Sequence, residues 1–163
     1  MNIPQHAIGH MAALARTSPD TFILLAGDTC HFAGVFRPSP HLHLPKVVPA
    51  SVNIHPRFSR PCPSSTFTCL HPKVDKASSS PFYEISEQKG GWYIDPKVAQ
   101  NSANRLQEFD ADENVLVLLA HDTALEDVSE QFPKQNLNDW KKNGWKERFA
   151  WNFLNELHST DSA

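Results

Sequence analysis

Two short stretches decide the fold, Leu24-Leu25-Ala26-Gly27-Asp28-Thr29 and Leu118-Leu119-Ala120-His121-Asp122. Each closes a continuous run of apolar, β-prone residues, from Thr21 to Ala26 and from Val115 to Ala120. Continuous rather than alternating apolarity predicts strands that are buried on both faces. Because each run leads directly into a carboxylate or an imidazole, both strands should present metal-type ligands at a strand end.

Local signals around these strands predict a hairpin and a helix. Residues His10 to Arg16 are mostly apolar and end at the turn cluster Thr17-Ser18-Pro19-Asp20, so we expect a hairpin that delivers Asp28 to a strand end. Asp95-Pro96 should start a helix that runs to about Phe109, because Asp is a good N-cap and Pro is tolerated at the first helical position.

The remainder of the chain completes an α/β pattern. We expect a short helix over Thr123 to Phe132 and further helix over Leu137 to Leu157, interrupted at Gly144. The order strand, helix, strand, with polar residues at both strand ends, is typical of α/β proteins. The domain should span residues 1–157, and residues 158–163 should form a disordered tail.

A proline-rich segment separates the two predicted strands. From about Phe36 to Pro81 prolines recur among serines and histidines, and the whole chain has 13 Pro against 6 Gly in 163 residues. The segment predicts a long loop, 36–81, with at most short extended pieces. We expect an insertion that lies over the surface or is partly disordered.

Composition excludes several classes of function. The formal net charge of -3 and the lack of Lys/Arg runs argue against nucleic acid and anionic membranes as partners. No stretch is long and apolar enough to span a bilayer. The three cysteines, Cys30, Cys62 and Cys69, form no Cys-x-x-Cys, so reduced thiols in a cytoplasmic protein are the simplest interpretation.

Three places combine a strand end or glycine turn with ligands that zinc prefers. They are Gln5-His6-Ala7-Ile8-Gly9-His10, Gly27-Asp28-Thr29 and Ala120-His121-Asp122. In this order they resemble the motifs in the second half of the metallo-β-lactamase superfamily. Their residues are most similar to those of the fungal-type members, whose relatives include lactone and lactam hydrolases. The resemblance implies part of an αββα sandwich, a C-terminal β-sheet with flanking helices that carries the Pro-rich loop.

The same resemblance implies the roles of three residues and a small-molecule substrate. His6 would bind one metal, Asp28 would bridge two metals, and His121 would bind the second. A bridging hydroxide positioned by Asp28 would then attack the carbonyl of a lactam, lactone or thioester. His10 matches a position that usually supports structure.

The sequence also departs from the family pattern. The first motif, His-x-His-x-Asp-His, should lie upstream of the paired histidines, but the chain begins only five residues before His6. The nearest similar stretch, His41-Leu42-His43-Leu44-Pro45-Lys46, lacks the Asp-His and lies inside the Pro-rich loop. Gln5 stands where the family usually has Gly. We therefore expect the C-terminal half of a hydrolase, inactive as this chain alone.

Two questions stay open at this point. Because stable zinc sites have at least three protein ligands, the chain should hold one zinc ion, through His6, Asp28 and His121 together, or none. A half-fold would also expose the sheet face meant for the other half, which predicts self-association or a protein partner. The alternative function is therefore a non-catalytic remnant or partner-binding module.

Several further residues have an ordinary structural interpretation. We expect His31, His41, His43, His55 and His71 to be solvated or locally hydrogen-bonded, Arg37 to lie on the surface, and Cys30 to be a small buried thiol. The four tryptophans should be packing anchors more than pocket residues.

Overall fold

A computed structural model describes residues 1–3, 6–127 and 136–157, and its centre is a three-stranded sheet. Strand β1 spans Ala13–Ser18, β2 spans Thr21–Gly27 and β3 spans Val115–Leu119. In the order β1-β2-β3, β1 pairs antiparallel with β2 and β2 pairs parallel with β3. The predicted hairpin and the two predicted strands are confirmed.

The parallel pairing of β2 and β3 determines where the functional residues meet. Leu24 lies opposite Val117 and Leu25 opposite Leu118, and the register shifts between Leu25 and Gly27. Carboxyl ends of parallel strands lie at the same sheet edge, so the residues after Gly27 and after Leu119 become neighbours. Register shifts of this kind re-aim the side chains beside them.

The described helices are short except for one. Helix α1 spans Ser65–Thr68, α2 spans Pro96–Ala111 and α3 spans Trp145–Ala150, with 3₁₀ turns at Ala33–Val35, Val74–Lys76, Thr123–Asp127 and Asn152–Glu156. The predicted cap of α2 is confirmed, because the Asp95 carboxylate accepts hydrogen bonds from the backbone N–H groups of Lys97 and Val98 at 3.1 and 3.2 Å. None of the helices in these ranges is long and apolar enough to cross a bilayer.

Side chains from the two faces of the sheet enter two separate clusters of the core. On one face Leu24, Val115 and Val117 pack with Ala103 and Leu106 of α2. On the other face lie the cluster residues Ile23, Leu116, Leu118, Ala124, Trp140, Trp145 and Phe149. Burial on both faces explains why the sequence of β3 is apolar without alternation.

The C-terminal part is less helical than its sequence predicts. Residues 138–144 form turns, and helix begins only at Trp145, after Gly144 takes a left-handed conformation with φ 66°. Trp140 and Trp145 are both buried against the sheet, so tertiary packing decides this segment over local helix propensity. The helix predicted for Thr123 to Phe132 is a 3₁₀ turn over Thr123–Asp127. The rest of it and the predicted tail lie outside the described residues.

The Pro-rich segment contributes to the core instead of only covering it. Phe36, Val48, Val52 and Phe67 are buried in the same cluster as Leu24. Within the segment, the backbone around Val47 pairs with the backbone around Pro63 in an isolated antiparallel bridge. This bridge is the short extended structure that the segment contains.

The prediction that Arg37 lies on the surface is wrong. Its guanidinium is buried, and it donates from Nε and Nη2 to the two carboxylate oxygens of Asp110 at 2.8 and 2.6 Å. Nη1 donates to the backbone carbonyl of Phe149 at 3.4 Å. Burial disfavours the charged guanidinium, but the adjacent Asp110 carboxylate dominates and raises the pKa of Arg37. A buried bidentate pair therefore ties the Pro-rich segment to α2 and α3.

Candidate metal centre

The carboxylate of Asp28 lies at the centre of the site, at the sheet edge where β2 and β3 both end. His121 follows β3 by two residues, and its Nε2 lies 3.0 Å from Oδ1 of Asp28. Two stretches that are almost a hundred residues apart in sequence thus meet because their strands pair in parallel.

His6 approaches Asp28 from the N-terminal side. Backbone pairing of residues 1–3 with residues 10–12 closes a loop, and His6 lies within that loop. Its Nε2 is 3.8 Å from Oδ2 of Asp28. The structure therefore brings together all three residues that the sequence proposed, His6, Asp28 and His121.

A fourth residue, His31, belongs to the site although its sequence context predicted a solvated or locally hydrogen-bonded loop histidine. Nε2 of His31 lies 3.8 Å from Oδ1 of Asp28, and one ligand atom from each of His6, Asp28 and His31 lies within 4.8 Å of the other two. His121 contacts this group through Asp28 and through its ring, whose centroid is 5.0 Å from that of His31. The sequence predicted one ion held by His6, Asp28 and His121. The structure adds His31 as a candidate ligand, either together with His121 or in its place.

A tight turn places His31 on the same side as Asp28. Thr29 folds the chain back after β2, since its hydroxyl donates to the carbonyl of Ala26 at 2.6 Å. The 3₁₀ turn Ala33–Val35 then buries the following residues in the core. The only sequence signal for this arrangement is the three-residue spacing between Asp28 and His31.

His10 supports Asp28 and does not face it as a ligand. Its Nε2 accepts a hydrogen bond from the backbone N–H of Asp28 at 3.0 Å, and its Nδ1 lies 3.1 Å from the carbonyl of Ile3. Since Nε2 accepts, Nδ1 carries the hydrogen and donates to Ile3. Gly27 makes room for this imidazole, because a Cβ at Gly27 would lie 2.7 Å from Nε2 of His10.

Two buried atoms of the site lack hydrogen-bond partners. They are Nδ1 of His6 and Oδ1 of Asp28, whose 3.0 Å contact with His121 does not have hydrogen-bond alignment. Zinc bonds of about 2.0–2.2 Å in a tetrahedral site place neighbouring ligand atoms about 3.4 Å apart. The Asp28 oxygens lie 3.0 to 3.8 Å from the histidine nitrogens, and the ligand atoms of His6, Asp28 and His31 all lie within 4.8 Å of one another, so the donor set suits a metal ion such as zinc in its chemistry.

The histidines line an open cleft of about 500 Å³ together with Trp92. Trp92 is exposed, and its ring meets the His31 ring edge-on at a centroid distance of 4.8 Å. Burial, reinforced by the neighbouring His6, lowers the pKa of His31. The ring of Tyr93 lies 5.4 Å from that of His31, and burial raises the pKa of Tyr93 to about 12. Both side chains are therefore neutral near pH 7.

The cysteine next to the site is structural. Cys30 is fully buried, and burial raises the pKa of its thiol to about 12. All three cysteines are free, and the expected small buried thiol is confirmed.

Comparison with known proteins finds similarity to hydrolases. The chain is 36% identical over 99% of its length to a gamma-lactamase of Fusarium pseudograminearum (strain CS3096) and 34% identical over 99% to a metallo-hydrolase of Annulohypoxylon moriforme. These similarities support the metallo-β-lactamase-fold family for this chain. A gamma-lactamase of Gibberella moniliformis (strain M3125 / FGSC 7600) is 39% identical over 65% of the chain.

These matches cover only part of each metallo-β-lactamase-fold relative. The chain spans 38%, 42% and 43% of the lengths of the three proteins, about two fifths in each case. No protein-family model and no solved structure matches the chain.

Proposed function

We propose that this chain supplies metal ligands to a zinc-dependent hydrolase of the metallo-β-lactamase type, acting on a lactam, lactone or thioester. The observation that supports the proposal most is the Asp28 carboxylate, which has Nε2 atoms of three histidines at 3.0, 3.8 and 3.8 Å. Two of the relatives are named gamma-lactamases, which favours a cyclic amide among the three substrate classes.

We infer that His6, Asp28 and His31 hold the ion, with His121 next to them on the same carboxylate. Two imidazoles and a carboxylate form a known zinc ligand set. When bound, zinc would lower the pKa of a water molecule and polarise the scissile carbonyl. The Asp28 carboxylate would lie between the histidine ligands, and the cleft beside Trp92 would admit the substrate.

The proposed site is incomplete for catalysis. The printed sequence contains no His-x-His-x-Asp-His, so a second ion would lack the ligands that this motif provides in the family. We propose that residues 1–157 form part of an αββα sandwich and that the chain alone has little or no hydrolase activity. The three free cysteines support a reducing, cytoplasmic location.

Zinc binding by the purified chain tests this proposal. Titration against a chromophoric chelator should give one zinc ion per chain, and Asp28→Asn should lose at least about tenfold in affinity because two imidazoles alone leave the ion underligated. Asp20→Asn is the matched control, since Asp20 lies in the exposed turn between β1 and β2.

The outcomes separate the proposed functions. Zinc binding that Asp28→Asn abolishes and Asp20→Asn preserves would support the hydrolase site, and a panel of γ-lactam, lactone and thioester substrates would then measure residual turnover. Absence of zinc binding, or equal binding by the Asp28→Asn variant, would overturn it.

A second candidate function is a partner-binding module, and a specific surface favours it. Apolar side chains are exposed around the edge strand β1, with Ile8 at 97%, Met11 at 71%, and Leu14 and Leu25 at 45% exposure. Exposed apolar groups beside an unpaired strand edge are typical of surfaces that bind another chain. Light scattering over a range of concentrations should show association that Leu14→Lys weakens. A monomer at all concentrations would argue against self-association.

A further inference from the structure

The imidazole of His31 has different neighbours at its two nitrogens. Nε2 faces Asp28, whereas Nδ1 lies 3.2 Å from the phenol oxygen of Tyr93. A neutral imidazole carries a hydrogen on one nitrogen and a lone pair on the other. The partner of Nδ1 therefore decides whether Nε2 offers a lone pair or an N–H to the centre of the site.

Tyr93 lies in the segment that leads into α2. It lies two residues before Asp95, the N-cap of that helix, and its ring is half-buried at 5.4 Å from the His31 ring and 5.7 Å from the His6 ring. The segment before it is also tied to α2, because the side chain of Gln100 accepts a hydrogen bond from the backbone N–H of Ile85 at 2.7 Å. The hydroxyl thus reaches His31 from the segment between Ile85 and the N-cap of α2.

A phenol can serve His31 in both states of the site. Without a cation, the hydroxyl donates to Nδ1, and Nε2–H then faces the Asp28 carboxylate, which is favourable. With a cation on Nε2, the hydrogen would have to reside on Nδ1, and the phenol O–H would turn away so that the oxygen could accept from Nδ1–H. The net charge of the ring does not change, since solvent takes the hydrogen from Nε2 and returns one to Nδ1. A fixed donor or a fixed acceptor would oppose one of the two states.

We propose that Tyr93 is a positioning residue for metal binding, which holds His31 through Nδ1 and changes from donor to acceptor when Nε2 takes the cation. This inference rests on the proposed zinc site. Partners of this kind orient metal-binding histidines, and their loss costs about 10–100-fold in metal affinity.

The test compares Tyr93→Phe with Tyr83→Phe, using zinc itself as the probe. Tyr83 is the other tyrosine of the chain, and its ring packs edge-on against Phe32 at 5.2 Å. Tyr93→Phe should weaken zinc binding about tenfold or more, whereas Tyr83→Phe should leave it within about twofold of the wild type. Equal zinc affinity in the two variants would overturn the proposal.

Nitrogen-15 spectra of the histidine rings give a readout that a packing effect alone would not produce. In the wild type, His31 should be the Nε2–H tautomer without zinc and the Nδ1–H tautomer with zinc. In Tyr93→Phe the zinc-free preference should disappear while the other resonances keep their folded pattern.

Failure of this inference is distinguishable from failure of the zinc site. A wild-type chain that binds no zinc overturns the metal site and, with it, the donor-to-acceptor change. Zinc binding by the wild type with an unchanged His31 tautomer, or with the same tautomers in Tyr93→Phe, overturns the role of Tyr93 alone.

Discussion

Gly27 is the last residue of β2 and directly precedes the central carboxylate, and its lack of a side chain leaves room for the imidazole of His10. Its φ is +55°, and a Cβ there would meet Nε2 of His10 at 2.7 Å. The imidazole in turn holds the backbone N–H of Asp28. The orientation of Asp28 therefore depends on a glycine that contacts no substrate or metal itself.

Replacing Gly27 with alanine should damage both stability and the site. We expect a loss of more than about 2 kcal/mol, from left-handed backbone strain of about 1 kcal/mol together with displacement of His10. Gly144→Ala is the matched control, because Gly144 has a similar φ of +66° but no atom within 4 Å of the added carbon. Urea denaturation compares the two, and equal losses would contradict the steric role of His10.

Cys30 and Cys69 should differ sharply in reactivity. Cys30 is buried with its pKa raised to about 12, whereas Cys69 is exposed, so iodoacetamide at pH 8 should modify Cys69 and spare Cys30 until the chain unfolds. Mass spectrometry of tryptic peptides measures both. Rapid native alkylation of Cys30 would contradict its burial.

The same thiol predicts a dependence of stability on pH. Above its ordinary pKa of 9.0 the unfolded thiol loses its proton while the native one keeps it up to about pH 12. The folded state then binds more protons, so the free energy of unfolding should fall as pH rises from 9 towards 12. Cys30→Ala should reduce this fall, and an identical pH profile in wild type and variant would contradict the assignment.

At the scale of elements, the buried pair of Arg37 and Asp110 connects parts of the chain that are distant in sequence. Removing one partner leaves an uncompensated buried charge, so Arg37→Met should cost about 3–5 kcal/mol. The double variant Arg37→Met with Asp110→Leu should recover part of that loss because no charge remains. Thermal or urea unfolding of the single and double variants measures the coupling, and additive losses would contradict an interaction between them.

The elements predicted correctly from sequence are those with strong local signals. β2 and β3 follow from continuous apolar runs, and α2 follows from its Asp95-Pro96 start. The segment before Gly144 was predicted as helix because its turns depend on the burial of Trp140 and Trp145 against the sheet, which no local pattern encodes. Arg37 was misplaced for the same reason, since its partner Asp110 is 73 residues away.

The residues of the candidate site also differ in how far local sequence predicts them. His6, Asp28 and His121 were predicted from motif order, because each belongs to a recognisable strand end or to the paired histidines His6 and His10. His31 and Tyr93 were not predicted as site residues, since their roles depend on how the turn after β2 meets the segment before α2. An aspartate at a strand end followed three residues later by a histidine is the signal that could have identified His31.

At the scale of the whole molecule, the sheet separates two apolar clusters and ends in the polar site. The core stabilises β2 and β3 from both faces, and the histidines and Asp28 gather where those strands end. β1 forms an edge with exposed apolar neighbours. The molecule therefore combines a parallel strand pair, which ends beside Asp28 and His121, with an outer strand whose apolar neighbours are exposed.

The central claim is that one cation binds where Asp28 meets the histidines. The most direct measurement is an anomalous-difference map at the zinc absorption edge, from crystals of the zinc-loaded chain. We expect a single strong peak between the Asp28 carboxylate and Nε2 of His6 and His31, with His121 adjacent. A peak at other residues of the chain, or no peak at this carboxylate under saturating zinc, would contradict it.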